Sequence, residues 1–217
     1  MSVTGGEHEL PRDVIREIKH IAHFGHATAV QADVEAAYRA IDEERLDDAV
    51  ELLARAKHHA PRSPSIRELT GLVHYHRGAW REAARELAAY RRLSGRFNQD
   101  PVYADAMRAL GRPEKAVEVL DAIDPSEVSD EVYVEALVVA AGALRDLERP
   151  GEAVELLRKG PLHPPQVRPH HLRLWYALAD ALEEDSKRGE ARAWWDAIYA
   201  EDPSFFDVDR RRLGVKG

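Results

Sequence analysis

Two stretches of this sequence carry residue types able to do chemistry. HIAHFGHA places His20, His23 and His26 three residues apart, and YRRLSGRFNQD, residues 90–100, sets Arg91, Arg92 and Arg96 beside Tyr90 and Phe97. Three imidazoles are a familiar zinc ligand set, so the first stretch is a metal-site candidate. A spacing of three, however, fans the side chains over about 120° of a helix, and Gly25 interrupts that helix. HExxH is absent and there is no cysteine, so neither metal nor other cofactor is expected. The other candidates, His58, His59, His74, His76, His170 and His171, read as surface residues. Together the eleven histidines add positive charge below about pH 6 and make binding sensitive to pH. The second stretch interleaves arginine with aromatics, which suits single-stranded nucleic acid, so RNA binding through 90–100 is an alternative reading. Carboxylate pairs such as Asp47-Asp48, Glu183-Glu184 and Asp207/Asp209 read as solvated helix charge. GxGxxG, P-loop and GxSxG motifs are missing, so no catalytic residue is assigned and the chain is not expected to be an enzyme.

Charge limits the partners. The formal net charge is −8, so the protein repels polyanions at long range and any nucleic-acid site must be a local patch. The zero cysteine count excludes disulfides and leaves the cytoplasm as the expected compartment. MSVTGGEHELPRD lacks a basic start and an apolar stretch, and no run reaches the roughly 20 apolar residues of a membrane span. Arginine far outnumbers lysine, and alanine, glutamate and leucine abound, a helix-favouring usage that a GC-rich bacterial genome produces.

The elements that must position these residues are repeated. ERLDDAVELL, GAWREAAREL, GRPEKAVEVL, ERPGEAVELL and SKRGEARAWW align on Ala49, Ala83, Ala116, Ala153 and Ala191, which are separated by 34, 33, 37 and 38 residues. Four positions after each alanine stands Leu53, Leu87, Leu120, Leu157 or Trp195, on the same helical face. Another helical stretch precedes each instance, so the unit is a helix pair. Ser63-Pro64 and Asp100-Pro101 each pair an N-cap side chain with a first-turn proline. Pro61, Pro125, Pro161, Pro164, Pro165, Pro169 and Pro203 are assigned to connections. LPRDVIREIKHIA predicts an amphipathic helix with Val14, Ile15, Ile18 and Ile21 on one side.

Two helices in about 34 residues with this signature resemble a tetratricopeptide repeat. The residues that carry the resemblance are Ala37, Ala49, Leu53, Ala56 and Pro61 in the first unit, and Gly71, Gly78, Trp80 and Ala83 in the second. In the fifth they are Trp175, Leu178, Ala179, Ala191, Trp195 and Pro203. Units start near 30, 64, 97, 134 and 172 and fill 30–204, between an N-terminal tail with a short capping helix (1–29) and a C-terminal capping segment (205–217). The resemblance implies an all-α fold, a right-handed superhelical α-solenoid of antiparallel helix pairs. It also implies a non-catalytic scaffold that receives a peptide or helix of a partner protein in a groove lined by the first helices, with self-association through an end or the convex face as a further expectation.

The family's groove positions fall on Val34 and Tyr38, then Glu68, Leu72 and Tyr75, then Asn98, Asp105 and Arg108, then Glu135, Val138 and Arg145, and lastly Arg173, Tyr176 and Asp180. Tyrosine and arginine in that lining suit peptide anchoring. The clamp by which chaperone-binding members hold a terminal carboxylate is not reproduced. One register puts Val34, Tyr38, Leu69, Asn98 and Val102 at its positions, and the next puts Glu68, Leu72, Val102, Glu135 and Val139 there. Trp80, Trp175 and Trp195 occupy packing slots, Trp194 is a candidate contact, and Phe205-Phe206 packs on the last repeat or forms a docking patch. Residues 90–100 are then first a joint between units, with Arg92 and Arg96 left as a secondary patch.

Overall fold

The computed structural model describes residues 9–214; the first eight residues of the N-terminal tail, and 215–217 of the capping segment, lie outside the described residues. Twelve α-helices and no strand occur among the described residues. Their order is α1 (Arg12–Ile21), α2 (Ala27–Asp42), α3 (Leu46–His59), α4 (Pro64–His76), α5 (Trp80–Ser94) and α6 (Asp100–Ala109). Then come α7 (Pro113–Asp121), α8 (Asp130–Asp146), α9 (Pro150–Leu157), α10 (Pro169–Glu184), α11 (Arg188–Glu201) and α12 (Val208–Arg211). The pairs α2/α3, α4/α5, α6/α7, α8/α9 and α10/α11 are the five expected units. The chain forms two compact units, Met1–Ala106 and Met107–Gly217, divided within α6.

Within each pair the turn is the same device. The residue five before the signature alanine has positive φ: Glu44 (58°), Gly78 (70°), Gly111 (70°), Glu148 (59°) and Ser186 (62°). The next N–H then reaches back five residues to a helix carbonyl: Arg45 to Ala40, Ala79 to His74, Arg112 to Met107, Arg149 to Leu144 and Lys187 to Leu182, at 2.8 to 2.9 Å. This is a Schellman closure, which satisfies carbonyls that the ending helix leaves open. Glycine occupies the left-handed position without strain, whereas glutamate and serine there bear roughly 1–2 kcal/mol. Gly111→Ala is therefore expected to lower stability by about 1 kcal/mol, since a Cβ there meets no atom within 4 Å and backbone strain alone acts. Glu148→Gly is expected to raise it by about 0.5 kcal/mol, strain relief exceeding the added chain entropy. Urea denaturation of both variants checks the pair of signs.

The signature alanines are sealed because the partner helix runs directly over them. Ala49, Ala83, Ala116, Ala153 and Ala191 are each 0% exposed. Gly71 is small for the same reason: a Cβ there would lie 2.7 Å from Leu87 Cδ2. In the first unit the core joins Ile18, Val30, Val34, Leu53 and Ile66, and in the second Leu157, Leu174, Leu178, Leu182, Trp195 and Ile198. Trp175 and Trp195 pack as expected, while Trp80 is half-buried, its ring edge-on to that of Tyr75 with centroids 5.2 Å apart.

Helix starts follow the proline and serine signals in part. Ser63 Oγ accepts from the Ile66 N–H at 3.2 Å, and Glu17 of α1 takes the Ser65 hydroxyl (2.7 Å) and N–H (3.1 Å). That carboxylate at the positive end of α4 ties the N-terminal helix to the array. Pro169, assigned to a connection, begins α10, where its missing N–H costs nothing. Asp100 stands inside α6 as its first residue, one position later than the cap expected of it. At the C-terminal end α12 is clamped on α10 and α11. Arg211 pairs with Asp180 and with Glu183 (3.1 Å) and lies 4.6 Å from the Trp195 ring. Arg212 pairs with Asp196 (3.0 Å) and lies 4.2 Å from Tyr199.

Candidate functional site

First helices meet first helices through the residues assigned to the groove. In the first unit Tyr75 donates its hydroxyl to Asp105 at 2.5 Å, and Glu68 accepts from Asn98 (3.2 Å) and Gln99 (2.7 Å). Tyr38 and Leu72 are half-buried, and burial, then the Glu68 charge, raises the Tyr38 phenol above its usual range. Val34 is not a lining residue: it is 2% exposed and packs in the core. In the second unit Arg108 pairs with Asp146 (2.8 Å), Arg173 with Glu135 (2.6 Å), and Arg145 with Glu184 (2.5 Å) and Asp180 (3.6 Å). Tyr176 donates to Asp207 at 2.5 Å, where burial and then that carboxylate raise its pKa. Burial raises the Asp180 carboxyl too, against the opposing pull of Arg211 and Arg145. These partners stand 30 to 39 residues apart, one repeat in sequence. These carboxylates and hydroxyls thus meet partners one repeat on, whereas Asp33 of α2 pairs within its own repeat, with Arg55 of α3 at 2.7 Å.

A cavity of about 300 Å³ opens on this face in the second unit. Its apolar lining is Val138, Ala141, Gly142 and Ala177, and its polar and aromatic lining is arginines 108, 145 and 173 with Asp180, Tyr176 and Phe206. Gly142 matters because a Cβ there would sit 2.7 Å from the Arg108 guanidinium carbon, so the arginine crosses α8 over bare backbone. The Phe205-Phe206 pair divides: Phe205 is half-buried, while Phe206 is 72% exposed with φ of 47°. Its ring stands edge-on to Tyr176 at 5.3 Å. A left-handed phenylalanine is a strained conformation, held here at the mouth of a cavity.

The basic run at 90–100 is largely occupied with itself. Arg91 neutralises Asp100 at 2.9 Å and lies 5.2 Å from the Phe97 ring. Asp100 is 2% exposed, and burial raises its carboxyl to about 6 against the pull of Arg91. Tyr90 donates to Asn98 at 2.6 Å, and Gly95 closes α5 in the left-handed conformation. Arg92 and Arg96 remain exposed.

The histidines regroup in a way that spacing did not show. His20 lies on α1, His23 in the connection and His26 before α2, so the three share no helix. Instead His26 stacks on His59 of α3 at 3.9 Å, with His58 at 4.9 Å and His23 at 6.3 Å from the same ring. Among the described residues no group of three or more His, Asp or Glu is arranged to hold a metal. Two histidines read as surface residues are buried, His74 at 8% and His171 at 4% exposed. His171 turns inward because its Nδ1 accepts the Arg168 N–H (3.0 Å) at the start of α10. Trp194 packs against Trp175 (5.7 Å) and His163 (5.9 Å).

Partial burial, then His26, His58 and His23, hold His59 below the usual imidazole pKa, Asp33 opposing them. A lowered folded pKa favours the neutral ring, so its stabilisation is complete above about pH 6.5 and is lost as pH falls through that value towards the folded pKa. His59→Gln is expected to remove this component from thermal melts between pH 7.5 and about 5.5, a window in which the raised Asp100 carboxyl acts with the opposite sign.

No family model matches the sequence, and no curated protein matches it. Solved structures do. A Podosopora anserina kinesin light chain protein with nearly identical TPR-like repeats superposes with a TM-score of 0.66 over 87% of this chain and 98% of that one, at 20% identity. The fold is that of tetratricopeptide-repeat proteins. Two further structures carry the same tetratricopeptide fold. YrrB, described as a TPR protein with an unusual peptide-binding site, matches at 0.60 over 83% of this chain and 90% of its own, with 14% identity. The apo quorum sensor NprR from B. thuringiensis matches at 0.68 over 93% of this chain and 64% of its own, with 13% identity. At such identities the likeness is one of fold. No helix among the described residues is long and apolar enough to cross a membrane.

Proposed function

We propose that this chain is a non-catalytic adaptor that binds a peptide or helix of a partner protein on the face made by its first helices. The observation that carries the reading is the cavity of about 300 Å³ in the second unit, with a small apolar floor and a rim of arginine and aromatic side chains. Such a floor takes one apolar side chain of a ligand, while guanidinium N–H groups donate to its carbonyl oxygens. Tyr176 and Phe206 supply rigid apolar surface at the mouth. Within the first unit, Tyr38, Tyr75 and Asp105 belong to a separate candidate contact surface. The likeness to YrrB, a TPR protein with an unusual peptide-binding site, supports this reading. A single array over 30–204 between two capping segments, in the cytoplasm, belongs to the same proposal. RNA binding through 90–100 loses support, because Arg91, Tyr90 and Phe97 are engaged within the joint.

The test is a peptide selected from a displayed library, with affinity read by fluorescence polarisation. Phe206→Ala removes an exposed ring and Ala177→Leu fills the floor; each is expected to weaken binding by roughly tenfold or more with little change in melting temperature. Peptides that bind both variants as tightly as the parent would place the contact elsewhere.

A further inference from the structure

A second cavity, of about 370 Å³, lies where the end of α10 and the start of α11 meet α12, and shares no lining residue with the first. Four arginines line it, Arg188, Arg192, Arg211 and Arg212, against a single acid, Glu183. In a chain of net charge −8 this is a local reversal of sign. Two of the four charges are already answered. Arg211 serves Asp180, Glu183 and the Trp195 ring, and Arg212 serves Asp196 and Tyr199. Glu183 is likewise spent, one oxygen on Trp195 Nε1 at 2.9 Å and the other on Arg211. Arg188 and Arg192 are exposed, and neither side chain forms a hydrogen bond or ion pair among the described residues.

These two stand four residues apart on one face of α11, where like charges repel. The carboxylate of their own first turn, Glu190, is drawn away to Arg158 at 2.7 Å. A dianion bridging the two guanidinium groups removes that repulsion and gains paired N–H donors. A phosphomonoester carries close to two charges and three acceptor oxygens on one centre, whereas a carboxylate brings one charge. The cavity exceeds a bare phosphate and is at the small end of sites for organic ligands. We propose that it binds a small organic phosphomonoester, its phosphate held by Arg188 and Arg192 and its organic body lying beside Leu213.

Calorimetry with phenyl phosphate as the probe tests this, at about pH 7.5, where the ester is a dianion. Benzoate, a monoanion with the same ring, and inorganic phosphate are the comparison probes. Phenyl phosphate is expected to bind at least roughly tenfold more tightly than benzoate and measurably more tightly than inorganic phosphate, weakening as ionic strength rises. The double variant Arg188→Gln/Arg192→Gln changes exposed side chains, should keep the parent melting temperature, and should lose at least roughly tenfold in phenyl phosphate affinity. Equal binding of phenyl phosphate and benzoate, no binding at low salt, or undiminished binding by the double variant each overturns the proposal. Because neither arginine touches the first-helix cavity, peptide affinity is expected to be the same in parent and variant.

Discussion

Trp195→Ala is expected to destabilise the second unit by about 4 kcal/mol, the cost of deleting a large buried aromatic whose space cannot fully collapse. Trp195 is 1% exposed and lies at the crossing of α10, α11 and α12. Its indole also donates to Glu183 at 2.9 Å, carries Arg211 over its face at 4.6 Å and meets Tyr176 edge-on at 4.9 Å. Truncation therefore removes apolar contact and the platform on which the arginine of α12 rests. Urea denaturation should show an earlier midpoint at unchanged slope. Trp194→Ala, one residue away and only half-buried, should cost about 1 kcal/mol. Equal losses at the two positions would mean that burial is not what distinguishes them.

Glu86→Ala is expected to cost the first unit about 3 kcal/mol, the low end for breaking a buried charge pair. Glu86 is 1% exposed and accepts from Lys57 of α3 at 2.9 Å and Arg67 of α4 at 2.6 Å. Burial alone pushes its pKa up, but the hydrogen bonds from Lys57 and Arg67 outweigh that and hold it below the ordinary glutamate range. The low end applies because the two cations keep 23% and 22% exposure and can turn to water when the acid is removed. A depressed carboxylate pKa contributes stability that is present above the unfolded value of about 4.3 and is lost as pH falls through it towards the folded pKa. Glu86→Gln should therefore lose most of the acid-linked slope below about pH 5. If wild type and variant show the same slope there, the charge of Glu86 is not coupled to folding.

Helix pairing was legible because its causes are local. Ala49, Ala83, Ala116, Ala153 and Ala191 stand at one phase of a 3.6-residue period, and the turn five residues before each closes on its own helix. Ile18 and its apolar neighbours announced α1 in the same way. Polar residues were far less readable. Glu86 looked like one of many charges in REAAREL, yet it is the buried centre of three helices. Arginine pairing with Glu135, Asp146 or Glu184 was visible in retrospect as opposite charge one repeat away, but helical spacing within a unit says nothing of register between units.

The sequence by itself determined a helix-pair repeat, its period, its small contact residues and the faces that must be buried, since backbone hydrogen bonding and apolar periodicity act over a few residues. Tertiary structure alone decided which charge meets which, and why His26 stacks on His59 instead of lining up with His20. It also decided that Arg91 is spent on Asp100 while Arg188 and Arg192 are left over. Those outcomes depend on side chains brought within about 4 Å from different elements of the chain, and ionic attraction at that range is set by position in space and not by order along the chain.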